Sequence, residues 1–141
     1  MKQIGQHAVV IGASMGGLLA ARALADFYAE VTVLERDTLP LTDVPRKGVP
    51  QGRHAHGLLA RGRSVIEAFF PGWTDEVVAG GGARGDIVKD VRWIGHGVTI
   101  KSAPSDLIGL LASRPVLEGH VRRRLLALPN VRAMKTARCR D

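Results

Sequence analysis

Two short apolar runs with a Leu/Ala-rich stretch between them set the pattern at the start of this chain. His7-Ala8-Val9-Val10-Ile11 has the character of a parallel strand buried on both faces. Gly12-Ala13-Ser14-Met15-Gly16-Gly17 follows at once, and Leu18 to Ala25 is rich in good helix formers. Val31-Thr32-Val33-Leu34 repeats the strand pattern and ends at Glu35. Strand, glycine turn, helix, strand and acid, in that order, make a mononucleotide-binding βαβ unit.

The pattern then breaks. Thr38 to Gly57 holds three prolines and three glycines at intervals that forbid a regular element, so it reads as a long loop carrying Arg46, Lys47, Gln51, Arg53, His54 and His56. Helical spacing returns from Leu58 to Phe70 and stops at Pro71-Gly72, with Trp73 expected to pack over the helix end and Asp75 to Ala79 to add a short turn. Gly80-Gly81-Gly82 is a flexible break. Asp86–Ile94 and Gly97–Lys101 read as a β-hairpin about Gly95-His96-Gly97. Ser102 to Ala112 is mixed, with a turn at Pro104 and an apolar run from Leu107 to Leu111. Ser113 is placed to cap a helix from Pro115 to about Leu128, and Val131 to Met134 opens a third parallel strand. In that helix Arg122, Arg123 and Arg124 span more than half the circumference, so most of them are expected in solvent. A sheet ordered third, second, first strand leaves the first as an apolar edge, which another strand or a partner has to cover. The expectation is an incomplete domain.

Composition narrows the function classes. The 141 residues are 45% hydrophobic, and no apolar run approaches the roughly 20 residues that span a bilayer. The opening Met1-Lys2-Gln3 enters a strand by about His7, which is not the three-part form of a signal peptide. The single Cys139 excludes an intrachain disulfide framework and fits a reducing, cytoplasmic setting. A net charge of +7 raises nucleic-acid binding, but the basic residues are dispersed and aromatics make up 4%, too few for base-stacking platforms. His54 and His56 share a face of an extended segment, yet lack a third His or Cys nearby, so ligand or backbone hydrogen bonding is preferred over metal binding.

Within the βαβ unit each position has a task. Gly12 lets the chain turn sharply off the first strand, and Gly17 lets the helix press on the sheet. The helix start then offers unpaired N–H groups to a pyrophosphate. Glu35 lies 23 positions after Gly12, near the spacing of an acid that accepts ribose hydroxyls. Ser14 replaces the middle glycine of GxGxxG, a mild departure because its hydroxyl can itself donate.

Taken together, GASMGGLLAARAL with VTVLERD, VPRKGVPQGRHAHGLLARG and SRPVLEGHVRRRL resemble the start of an FAD-dependent monooxygenase-like oxidoreductase of the aromatic-hydroxylase and epoxidase superfamily. The resemblance runs from about Ala8 to Val131. It implies an α/β, Rossmann-like FAD-binding fold with a parallel sheet plus a β-hairpin, of which residues 1–141 are the N-terminal portion. It places Gly12, Ala13, Ser14, Met15, Gly16 and Gly17 along the FAD pyrophosphate, Glu35 on the adenosine ribose and Arg36 near the adenine. Arg46, or alternatively Arg53, matches a cofactor-contacting arginine, and Arg114 matches another. Gln51, His54 and His56 match loop residues near the flavin. The family's later Asp-Gly and Gly-Asp motifs have no counterpart here, since Gly85-Asp86 comes too early.

Such enzymes use NAD(P)H to reduce FAD and O2 to oxygenate a small organic substrate, and no residue here is required as a general acid or base. The alternative is a truncated, non-catalytic flavoprotein fragment or nucleotide-binding module. A nicotinamide-dependent dehydrogenase shares the βαβ unit, but its strands and helices would keep alternating after Glu35.

Overall fold

The computed structural model describes residues 2–40 and 42–135; Cys139 lies outside them. In chain order the elements are β1 (Gly5–Ile11), α1 (Met15–Ala25), β2 (Tyr28–Glu35), a 3-10 helix (Pro50–Arg53), β3 (Ala55–Leu58), α2 (Ala60–Phe69), α3 (Trp73–Ala79), β4 (Ala83–Asp86), β5 (Ile94–Gly95), β6 (Val98–Thr99), β7 (Ile108–Ser113), α4 (Arg114–Leu126) and β8 (Val131–Lys135). The described residues fall into two compact units, 2–40 and 42–53 with 114–135, and 54–113.

The first unit is the βαβ motif extended by one crossover. β1, β2 and β8 form a parallel sheet in the order β1-β2-β8, with Val10 beside Val33 and Val33 beside Ala133. Leu18 and Ala21 of α1, Val31 and Val33 of β2, and Leu117, Val121 and Leu125 of α4 make its core. Asn130 joins the crossover to the first turn, its amide donating to the carbonyls of Ala25 (2.9 Å) and Tyr28 (3.1 Å). The sheet order is the one the sequence implies, and β1 is its edge. One expectation changes. β1 is covered on one face only, because Val10 meets α1 while Val9 and Ile11 stand 52% and 87% exposed. On that open face His7 Nε2 lies 2.8 Å from Thr32 Oγ1, which also accepts from Arg132 Nε at 3.1 Å.

Arg122 is a second departure. It is buried, its Nη2 donating to the Pro40 carbonyl (2.8 Å), and Arg123 pairs with Asp43 (2.7 Å). The segment following β2 folds back over α4, a tertiary event that helical spacing cannot announce.

The second unit is built on a small antiparallel sheet, β3-β7-β4, with α2 against β7. Leu110, Ile66, Phe70, Trp73 and Val77 fill its core. Here the sequence reading needs several corrections. Leu58 belongs to β3, opposite Leu110, and α2 starts at Ala60. The apolar run at Leu107–Leu111 is mostly strand, the centre of the sheet, and β7 runs through Ser113, the residue before α4. Residues 73–79 form a full helix because Glu67 of α2 caps it, accepting from the N–H groups of Gly72 (2.6 Å) and Thr74 (2.9 Å) and from the Thr74 hydroxyl (2.6 Å).

The hairpin exists but is shorter than expected. Ile94 pairs with Thr99 and Gly95 with Val98, about a turn with positive φ at His96 (50°) and Gly97 (77°), the combination a two-residue type I′ turn requires. The long strand from Asp86 does not form, because the Asp86 carboxylate draws the chain into a turn. It accepts from the N–H groups of Val88 (2.9 Å) and Lys89 (3.1 Å) and from the backbone and hydroxyl of Ser105. The Ser105 hydroxyl foremost, against a burial penalty and with those backbone donors, holds the Asp86 carboxyl well below its usual range. A depressed carboxylate stabilises the fold fully above the unfolded-state value near pH 4 and loses that contribution as the pH falls toward the folded one. Unfolding followed by tryptophan fluorescence should therefore show this unit, which holds both Trp73 and Trp93, weakening progressively as the pH falls below about 4. Asp86→Asn should flatten that dependence, and an unchanged slope would remove Asp86 from the account.

Candidate functional site

The glycine turn and the end of β2 meet at the carboxyl ends of the parallel strands, where open α/β sheets place their ligands. Gly12 takes φ +95°, closed to most side chains, and its N–H donates to Leu34 O (2.7 Å). A Cβ on Gly17 would overlap the Gly12 carbonyl oxygen, so this glycine sets how closely α1 approaches the turn. Gly16 differs: a Cβ there meets nothing within 4 Å. Ser14 is the N-cap of α1, exposed, with no capping hydrogen bond from its side chain. The helix start therefore keeps backbone donors without a side-chain acceptor from its own cap.

Glu35 sits inside this turn. Its Oε2 accepts the Ala13 N–H (2.8 Å) and its Oε1 the Asp37 N–H (3.1 Å). Burial pushes its carboxyl up, but these two backbone donors and Arg46 outweigh that and hold it below the usual carboxylate range. It is 8% exposed and ionised at neutral pH. The Ala13 amide is thus already used by protein, which leaves the amides from Ser14 onward for an anion.

Arg46 spans the turn from behind, with a side chain 5% exposed. Its Nη2 donates to the Ala13 carbonyl (2.8 Å) and to Glu118 Oε1 (2.6 Å), its Nε to the same Glu118 oxygen (3.0 Å), and its Nη1 to Glu35 Oε2 (3.2 Å). Burial alone would lower its pKa, but Glu118 and then Glu35 raise it, so the charge is fixed. Glu118, 3% exposed, also faces Arg122 Nη1 at 3.9 Å and Arg114 Nε at 3.7 Å. Arg114 Nε and Glu118 Oε2 have no hydrogen-bond partner, an ion pair without a hydrogen bond. The Arg122 guanidinium is pushed down by burial, partly offset by Glu118.

A cleft of about 330 Å³ opens beside this network, lined among others by Gly12, Ser14, Glu35, Arg36, Arg46 and Gly48. The structure thus gathers Gly12, Ala13, Ser14, Glu35, Arg36 and Arg46 at one place. Met15, Gly16 and Gly17 form the first turn of α1 beside it. Arg36 is exposed, Arg53 is exposed and outside the cleft lining, and Arg114 reaches the network through Glu118. The residues sequence reasoning passed over are Glu118, Asp37 and Gly48, the last donating its N–H to Asp37 (2.8 Å). The Arg114-Glu118-Arg122 spacing on one helical face was a readable signal. Its partner 72 residues away was not.

An anionic dinucleotide fits this donor set: backbone amides for phosphate, a fixed carboxylate for sugar hydroxyls, and an exposed arginine at the cleft wall. Among the described residues no helix is long and apolar enough to cross a membrane, and no group of three His, Cys, Asp or Glu is placed to hold a metal ion.

No protein-family model matches the chain. Protein Rv3254 of Mycobacterium tuberculosis is 42% identical over 142 residues, a stretch covering 92% of this chain and 28% of that protein. Among solved structures, the tetrameric form of 2-methyl-3-hydroxypyridine-5-carboxylic acid oxygenase aligns with a TM-score of 0.62 at 20% identity, over 92% of this chain and 32% of that one. The p-nitrophenol 4-monooxygenase of Pseudomonas putida DLL-E4 aligns at 0.57 and 20%, over 96% and 32%. The Diels-Alderase PyrE3 of pyrroindomycin biosynthesis aligns at 0.57 and 21%, over 92% and 25%. At these identities the likeness is one of fold. The chain spans less than a third of the curated relative and at most about a third of these structures.

Proposed function

We propose that this chain is the FAD-binding part of a flavin-dependent oxidoreductase, most consistent with a monooxygenase that uses NAD(P)H and O2 on a small organic substrate. The observation that carries the reading is the Glu35 carboxylate set into the glycine turn at the start of α1, beside the cleft. The fold shared with two oxygenases supports the reaction class. In this reading the amides of Ser14, Met15, Gly16 and Gly17 face the pyrophosphate, with Gly12 and Ala13 shaping the turn. Glu35 takes the ribose hydroxyls, Arg36 lies on the adenine side, and Arg53 and Arg114 are further cofactor contacts. Arg46, whose donor nitrogens are engaged by Glu118, Ala13 and Glu35, holds the site and also borders the cleft as a further cofactor contact. Bound FAD would supply the redox chemistry; the chain's own residues bind and orient it. A cytoplasmic setting belongs to the same reading.

A second reading is a nucleotide-binding module without catalysis of its own, favoured by a cleft whose Glu35 and Arg46 are both engaged by protein partners. The same fold in a Diels-Alderase shows that this architecture is not tied to one reaction. The purified chain titrated with FAD, NADH and ADP separates these possibilities. Visible absorbance of retained flavin, and FAD affinity above that for NADH, is the expected result. Preference for NADH would favour a dehydrogenase, and binding of neither would overturn the cofactor reading. Glu35→Ala should weaken FAD binding by about 1–2 kcal/mol for the lost charged hydrogen bonds, and unchanged affinity would take Glu35 out of the site.

A further inference from the structure

Glu118 does not line the cleft itself, yet it organises it through Arg46, which does. One of its oxygens, Oε1, receives two donors from Arg46, at 2.6 and 3.0 Å. The other ends of that guanidinium reach the Ala13 carbonyl and Glu35 Oε2, and Glu35 in turn receives the Ala13 N–H. Both faces of the Ala13 residue, its N–H and its C=O, are thereby tied to one charged chain that ends on α4. A planar guanidinium presents its donors in a fixed fork, so the position of one acceptor constrains the others. Without Glu118, Arg46 keeps only the Ala13 carbonyl and Glu35 as partners, and an anionic ligand in the cleft it lines would compete for it.

We propose that Glu118 is a positioning residue for the nucleotide cleft: through Arg46 it fixes the arrangement in which Glu35 and the Ala13 turn meet a ligand. The proposal rests on the dinucleotide reading of the cleft. It concerns the placement of the acid and not the identity of the cofactor. The charged groups around Glu35 are Arg46 from the loop, Arg36 and Asp37 from its own strand end, Arg122 and Arg123 from α4, and Lys135 from β8.

Two measurements on the full chain test it: ADP and FAD affinity between pH 5 and pH 8, and the titration of the Glu35 carboxyl carbon by NMR without ligand. The variants are Glu118→Gln, Arg46→Lys and, as a control for lost stability alone, Val121→Ala in the buried face of α4. Glu118→Gln is expected to weaken ADP and FAD binding about tenfold, the scale of one charged hydrogen bond, and to move the Glu35 midpoint. Arg46→Lys, which keeps the charge but not the fork, should weaken binding similarly. Val121→Ala should lower the melting temperature and leave both affinity and midpoint unchanged. A Glu118→Gln chain indistinguishable from Val121→Ala in both readouts would overturn the proposal. If the unaltered chain binds neither ADP nor FAD while the Glu35 midpoint still moves in Glu118→Gln, the positioning role stands and the cofactor reading fails.

Discussion

Arg46→Ala is expected to destabilise the nucleotide unit by about 3–5 kcal/mol, the cost of leaving a buried charge without its partner. Two carboxylates are stranded at once. Glu35 and Glu118 are both buried, and each owes its shortest guanidinium contact to Arg46. Arg114 and Arg122 stand farther from Glu118, at 3.7 and 3.9 Å, and offer weak compensation. For a unit of this size such a loss approaches the whole stability, typically 5–15 kcal/mol for a domain. Both tryptophans lie in the other unit, so urea unfolding should be followed by far-ultraviolet circular dichroism. Arg46→Lys should recover part of the loss, since an ammonium keeps the charge but cannot span three acceptors. A cost below about 1 kcal/mol, the range of a surface pair, would show that the network contributes little.

Two neighbouring glycines give the other large contrast. Gly17→Ala should cost about 3 kcal/mol, because the new Cβ overlaps a backbone carbonyl oxygen that cannot rotate away. The helix has to lift from the turn, and nucleotide affinity should fall with stability. Gly16→Ala should do the opposite to stability. Its Cβ enters open space inside α1, and helix propensity favours alanine by about 0.5–1 kcal/mol. Yet the proposed phosphate approach passes this residue, so FAD affinity should drop about tenfold while the melting temperature holds or rises. A Gly16→Ala chain that binds FAD as tightly as the unaltered one would move the phosphates away from this face of the helix.

The site was partly legible because its chemistry is local. Gly12, Gly17 and Glu35 carry constraints of backbone angle, close approach and strand-end position that a few residues of sequence express, and the structure brings them together. Arg46 was picked out by residue type and loop position, but its direction was not. Whether a guanidinium faces ligand or protein depends on what lies behind it, and here that is Glu118 on a distant helix. The second unit was read less well for the same reason. Leu58 and Leu107–Leu111 are apolar runs too short to distinguish strand from helix, and only pairing across β3, β7 and β4 decides them.

Sequence alone determined the βαβ unit, its turn chemistry and the third parallel strand, since period and glycine placement act over neighbouring residues. Tertiary structure alone decided the burial of Arg122, the shortening of the hairpin by Asp86 and the chain of charge from α4 to the glycine turn. Each of these turns on where a polar side chain finds its partner once water is removed. For Arg46 and Arg122 the partner is 72 and 82 residues away, and for Asp86 a turn closed by Ser105 replaces the strand that local spacing suggests.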